Sequence, residues 1–274
     1  MLYFIPTPIG NLADISLRSL DILSTCELVF CEDTRVSKCL ISLLNARFDA
    51  QIHIKNFIPL HSHNEKQFLK DVDVKIFEKN VAYLSDAGMP GLSDPGLGLV
   101  EFALKNHIAY EVLPGANAAL VALVSSGLCR KEFTFLGFLA NRGQQRQKEV
   151  EGLLKSPHPS VVYESPRRIL SLVECIFERE PARELFAMKE ISKKFQKSFK
   201  GRAESVLSEL KMANLSGEWV LVVAGSEDEA GGNLLCERDI LELPLPLKTK
   251  SKLLAKLNGK NPKELYKKLL LSQN

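Results

Sequence analysis

Residues 81–96, VAYLSDAGMPGLSDPG, constrain the fold more than any other stretch. Val81-Ala82-Tyr83-Leu84 is an apolar run that stops abruptly at Ser85, as a buried strand would. The loop after it carries Gly88, Pro90, Gly91, Pro95 and Gly96, and helical spacing resumes at Leu97, Leu99, Val100, Ala103 and Leu104. Strand, long turn, helix is therefore the expected order. Glycines let a ligand approach the backbone, prolines hold the turn open, and Ser85, Asp86, Ser93 and Asp94 can grip a polar small molecule. In an open α/β sheet, ligands bind beyond the carboxyl ends of the strands, where this loop must lie. A plain surface connection is the alternative, but it needs neither this length nor an acid near each end.

The pattern recurs along the chain. Leu2-Tyr3-Phe4-Ile5 ends in Pro6-Thr7-Pro8-Ile9-Gly10, and a helix follows with Asp14 or Ser16 as N-cap and Leu17, Leu20 and Leu23 on its apolar side. Leu28-Val29-Phe30-Cys31 runs into Glu32-Asp33-Thr34-Arg35. That cluster reads equally as a site and as a helix cap. Residues 36–44 read as helix and 45–66 as a polar loop. A strand at 109–113 leads into Pro114-Gly115-Ala116-Asn117, a tight turn whose exposed helix N–H groups would favour a carboxylate or phosphate. Alternating strands and helices imply right-handed crossovers and a mainly parallel sheet.

The second half repeats the theme, with strands at 133–139, 161–163, 185–188 and 219–224 and helices at 144–154, 167–177 and 204–212. The expected fold class is thus α/β: one lobe at 1–115, a second at 116–232, and a lysine-rich helical tail at 233–274 after a polar linker at 226–233. The cleft between the lobes is the expected active site. Tyr163-Glu164-Ser165-Pro166-Arg167-Arg168 brings a carboxylate that could orient a hydroxyl or accept its proton, and arginines that could hold phosphates. Alternatively Glu164 pairs with Arg167 or Arg168 at the surface, an interaction of about 0 to 1 kcal/mol. Lys189-Glu190-Ile191-Ser192-Lys193 is a similar charged strand end.

Composition narrows the function classes. A chain of 274 residues, 45% of them hydrophobic, is longer than one typical domain. No apolar run is long enough to span a bilayer and the first residues lack a cationic leader pattern, so a cytoplasmic protein without a membrane partner is expected. The six cysteines are scattered without CxxC spacing and read as reduced thiols. His61 and His63 could bind a metal, but a solvated turn is the plainer reading, and no metal is expected. A net charge of +3 does not itself argue for nucleic acid; the run of lysines from Lys248 to Lys268 against the single acid Glu264, with Arg142, Arg146, Lys193 and Lys194 elsewhere, offers phosphate contacts.

Several motifs go further. Pro6-Thr7-Pro8-Ile9-Gly10-Asn11-Leu12, Glu32-Asp33-Thr34-Arg35, Ser85-Asp86-Ala87-Gly88 and Ser93-Asp94-Pro95-Gly96 resemble, in order and spacing, the bacterial ribosomal RNA small subunit methyltransferase I family of the tetrapyrrole methylase superfamily. Gly137-Phe138-Leu139, Tyr163-Glu164-Ser165-Pro166, Lys189-Glu190-Ile191-Ser192-Lys193, Gly217-Glu218-Trp219-Val220 and the tail's Glu264-Leu265-Tyr266 continue the likeness over nearly the whole chain. The family reads Thr where Met89 stands and His where Arg167 stands. The resemblance implies two α/β lobes with S-adenosylmethionine in the cleft between them, a homodimer, and methyl transfer to the ribose 2′-hydroxyl of a cytidine in 16S rRNA of the small ribosomal subunit. On that reading Pro8, Gly10, Ser85, Asp86, Ala87, Gly88, Asp94, Pro114, Gly115 and Ala116 bind the cofactor. Asp33, Arg35 and Glu164 are the catalytic candidates, and Arg167, Arg168 and Lys193 grip RNA. The rivals are a tetrapyrrole methyltransferase of the same fold, which would not want the lysine-rich tail, and a non-enzymatic RNA-binding assembly factor with a vestigial cleft. A nucleotide-binding dehydrogenase is disfavoured because no GxGxxG follows the first strand.

Overall fold

A computed structural model describes residues 1–226, 237–258 and 261–271. Cys236 and most of the linker expected at 226–233 lie outside the described residues. The first lobe is built from β1 (Leu2–Ile5), α1 (Leu17–Thr25), β2 (Leu28–Cys31), α2 (Thr34–Phe48), β3 (Asn56–Pro59), α3 (Glu65–Asp71), β4 (Val81–Leu84), α4 (Leu97–Lys105) and β5 (Tyr110–Val112). Its five strands run in the order β3-β2-β4-β1-β5, all parallel. β2 and β4 are buried at every position because helices cover both faces. Leu20, Leu23, Ile41 and Leu44 of α1 and α2 pack on one face, and Leu99 and Ala103 of α4 with Phe68 of α3 on the other.

The second lobe comprises α5 (Ala118–Ser126), β6 (Thr134–Phe138), α6 (Gly143–Lys155), β7 (Ser160–Glu164), α7 (Ile169–Arg179), β8 (Glu184–Lys189), β9 (Lys197–Arg202), α8 (Ala203–Lys211) and β10 (Trp219–Val223). Its order is β6-β7-β10-β8-β9. Only β6 and β7 run parallel; β7–β10, β10–β8 and β8–β9 are antiparallel. Parallel crossovers therefore describe the first lobe, and the second is a mixed sheet. Two strands were not expected: β3 falls in the segment read as a polar loop, and β9 falls where no element was assigned. Both are edge strands, where one apolar residue in β9, Phe199, is enough to anchor the strand and the rest faces water. α6, α7 and α8 cover one face of this sheet around Leu153, Val173 and Leu207. Its other face is covered by Ala119, Ala122 and Leu123 of α5 together with Ile9 from the first lobe. That shared core joins the two sheets within one compact unit, Met1–Gly225.

The remaining unit, Ser226–Asn274, holds α9 (Glu237–Glu242), α10 (Leu247–Asn258) and α11 (Pro262–Leu271). Pro262 opens α11 at the position where its missing N–H is harmless. Ile240, Leu254 and Ala255 are buried, while Lys248, Lys252, Lys256, Lys263, Lys267 and Lys268 are exposed. No helix among the described residues is long and apolar enough to cross a membrane.

Candidate active site

The carboxyl ends of β2 and β4, neighbours in the first sheet, bring Glu32, Asp33, Asp86 and the long loop after Leu84 to one place. The loop is pinned at its start: the backbones of Thr7 and Gly88 exchange hydrogen bonds of 2.9 and 3.0 Å, Thr7 Oγ1 donates to Ser85 O, and Ser85 Oγ donates to Gly88 O. At its far end the Gly96 N–H donates to Glu65 Oε1 at 3.2 Å. Facing it across the cleft are the ends of β6, β7 and β10. Together they enclose a cleft of about 410 Å³ lined by Asp86, Ala87, Gly88 and Asp94 from the loop, and by Phe138, Tyr163, Glu164 and Val220 from the second lobe. Such a volume suits one small molecule.

The electrostatics are lopsided. Burial, then the neighbouring Glu32, Asp86 and Glu218, pushes the Asp94 carboxyl up to about 7. Burial also raises Glu32, with Asp86 as the next cause, and burial raises Asp86. Three carboxyls thus share a partly dry space with apolar walls such as Ile9, Met89 and Val220. This arrangement suits a ligand that is positively charged and otherwise apolar.

Not all expected site residues reach the cleft. Asp33 is the N-cap of α2: its carboxylate accepts from the Arg35 N–H at 2.8 Å and from the Arg35 guanidinium at 2.6 and 3.1 Å. That pairing holds Asp33 down at about 2. Its own N–H donates to Asp86 Oδ1 at 3.1 Å, so it buttresses the cleft from outside. Gly10 and Gly115 permit close packing between chain segments: an added Cβ would lie 2.7 Å from Ile191 O in the first case and 2.6 Å from Pro6 in the second. Pro8, Pro114 and Ala116 likewise flank the cleft without lining it. The helix start after Pro114 is less open than expected, because Asn117 Oδ1 accepts from Leu120 N–H and the Tyr163 hydroxyl accepts from Ala119 N–H.

Glu164 departs most from a surface ion pair. Its side chain is fully buried at the cleft wall, where Oε2 accepts from Arg146 at 2.9 Å and Oε1 from Arg168 at 2.7 Å and from the Ser165 N–H at 2.7 Å. Both oxygens are engaged, which leaves little capacity to accept a substrate proton. Arg146 is the partner that local sequence conceals, since it arrives from α6 and also donates to Ala140 O. Arg167 is exposed, and Lys193 is held between Glu190 and Glu218 at 3.0 and 2.9 Å. Among the described residues no third metal-ligating side chain joins His61 and His63.

Comparison with known proteins identifies the family. The family model for Tetrapyrrole (Corrin/Porphyrin) Methylases matches residues 1–207. A Campylobacter fetus protein named ribosomal RNA small subunit methyltransferase I is 52% identical over 271 residues, covering 98% of this chain and 100% of its own. A Helicobacter pylori (strain J99) protein of the same name is 42% identical over 290 residues, covering 100% and 98%. Among solved structures, a cobalt precorrin-4 methyltransferase superposes with a TM-score of 0.58 at 13% identity over 81% of this chain and 94% of its own. A Thermus thermophilus uroporphyrin-III C-methyltransferase complexed with S-adenyl homocysteine gives 0.54 at 16% identity over 81% and 96%. At those identities the structures speak for the fold alone, while the sequence relatives are near and full-length. The chain belongs to the tetrapyrrole methylase family and, within it, to the ribosomal RNA small subunit methyltransferase I group.

Proposed function

We propose that this protein is a cytoplasmic methyltransferase that moves the methyl group of S-adenosylmethionine to the ribose 2′-hydroxyl of a cytidine in 16S rRNA of the small ribosomal subunit. The observation that carries the reading is the acid-lined cleft closed between the loop after β4 and the end of β7, in a chain whose 52% identical relative bears the rRNA methyltransferase name. When bound, S-adenosylmethionine supplies an electrophilic methyl on a cationic sulfur. Asp86, Ala87 and Gly88 would hold it, with Glu32 and Asp94 complementing its charge. Pro8, Gly10, Ser85, Pro114, Gly115 and Ala116 act by holding these loops in place. Fixing the reacting atoms in this way can supply roughly 7 to 11 kcal/mol of the barrier.

A 2′-hydroxyl needs a proton acceptor poised near the working pH, and such a group contributes about 10²–10⁴-fold. Asp94 is the residue suited to it. Asp33, already paired with Arg35 and held at about 2, is a poor base. Glu164 is proposed as an anchor that aims Arg146 and Arg168 along the cleft wall. Arg35 on one lobe, Arg167 and Arg168 on the other, and the lysines of α10 and α11 present cations to RNA phosphates. A homodimer fits the apolar surface left on α5, where Val124 is 81% exposed; sedimentation should then give twice the chain mass.

The test is transfer of labelled methyl from S-adenosylmethionine to small subunits lacking the modification, with the product nucleoside mapped and naked RNA and a tetrapyrrole run in parallel. Label on one cytidine ribose is the expected outcome. Label on the tetrapyrrole alone, or cofactor binding without any transfer to intact subunits, would overturn it.

A further inference from the structure

Phe138 stands apart from the other aromatic residues that line the cleft, Tyr163 and Trp219. It lines the cleft, yet 58% of it is exposed. An unbulged strand would not aim it there, because Phe135 and Phe138 are an odd number of residues apart and would face opposite sides of the sheet. The register resolves this: Phe135 pairs with Val161, the ladder then slips, Gly137 pairs with Val162 and Phe138 with Tyr163. The extra residue turns both phenylalanines to the face that carries Tyr163. Their rings pack edge-on against it with centroids 5.2 and 5.6 Å away. Gly137 makes the bulge possible, with φ of +62°, and a Cβ there would lie 2.6 Å from Ser93 Oγ of the opposite loop. Bulges beside active sites commonly re-aim a side chain in this way.

The result is a flat apolar ring at the cleft mouth, braced from behind by Tyr163. Tyr163 is itself fixed through its hydroxyl to the start of α5. We infer that Phe138 is the platform on which the target nucleobase stacks when it leaves the RNA stack, and that it thereby orients the attached ribose toward Asp94. This rests on the rRNA reading above. A bare aromatic face without hydrogen-bonding groups suits that task, because every base offers a π-face and stacking fixes position without reading sequence.

The experiment compares wild type, Phe138→Ala and Phe138→Tyr in methyl transfer to unmodified small subunits, with S-adenosylmethionine affinity measured by calorimetry and melting temperature as the folding check. Phe138→Ala should lower kcat/KM for subunits roughly 5- to 150-fold. It should lower cofactor affinity far less than kcat/KM, and Phe138→Tyr should restore transfer. An unchanged kcat/KM for Phe138→Ala, a matching loss of cofactor affinity, or failure of the Phe138→Tyr rescue overturns the proposal. A wild-type protein that methylates no subunit RNA overturns the underlying reading instead, so the two failures are distinguishable.

Discussion

Asp94 is where burial and function oppose each other most directly. Its carboxyl titrates at about 7 because burial and three other acids disfavour the charge. A raised folded-state pKa means that the folded protein holds the proton more tightly than the unfolded chain, so this group's contribution to stability is full below the ordinary carboxylate range and is lost as pH rises toward 7. Asp94→Asn should therefore raise the melting temperature of the free protein at pH 8, with little change at pH 4. The same variant should lose about 10²–10⁴-fold in single-turnover methyl transfer, and with it the rise of rate through pH 7 expected of the wild type. Glu164 gives the contrasting case. Leaving Arg146 and Arg168 without their shared carboxylate should cost about 3 kcal/mol, so Glu164→Gln should melt about 6 to 12 °C lower. A variant that melted normally and lost only turnover would return Glu164 to a catalytic role.

At the scale of elements, the two lobes meet through loops packed at contact distance. Gly10 lies against the backbone of Ile191, and Ser192 Oγ donates to Asp14 Oδ2 at 2.9 Å beside it. Gly10→Ala must push these loops apart and should cost about 1 to 3 kcal/mol in denaturant unfolding; an unchanged midpoint would contradict this packing. The strands of the central sheet regions were legible because Leu28 to Cys31 and Val81 to Leu84 are unbroken apolar runs at every position. The polar strand Lys197 to Arg202 was not, since five of its six residues are free to face water or neighbouring side chains while Phe199 alone anchors it. The candidate site divides in the same way. Asp86 and Asp94 could be placed from the loop that carries them, because a strand end fixes its own loop. The Arg146–Glu164 contact spans 18 residues and two elements, and the bulge before Phe138 depends on register with β7, so neither has a local signature.

For the whole molecule, charge is distributed unevenly: acids line the cleft while lysines crowd α10 and α11. A chain ending at Gly225 should keep its cofactor affinity but bind small subunits more weakly and with a shallower dependence on salt, because every phosphate that no longer meets a lysine reduces the slope of log affinity against log salt by about 0.7 to 0.9. An unaltered slope would show that the tail neutralises no phosphates. The first sheet has a different kind of asymmetry. β1 is one of its three inner strands, with Leu2 paired to Val81 on one side and to Tyr110 on the other. β1 therefore has no partner close to it in the chain: one edge is satisfied by the fourth strand and the other by the fifth, a long-range topology that folds slowly. Until β4 and β5 are in place, the apolar residues Leu2, Phe4 and Ile5 have no strand on either side to cover them, so an unpaired apolar strand edge should be the aggregation-prone feature of this lobe's folding intermediates.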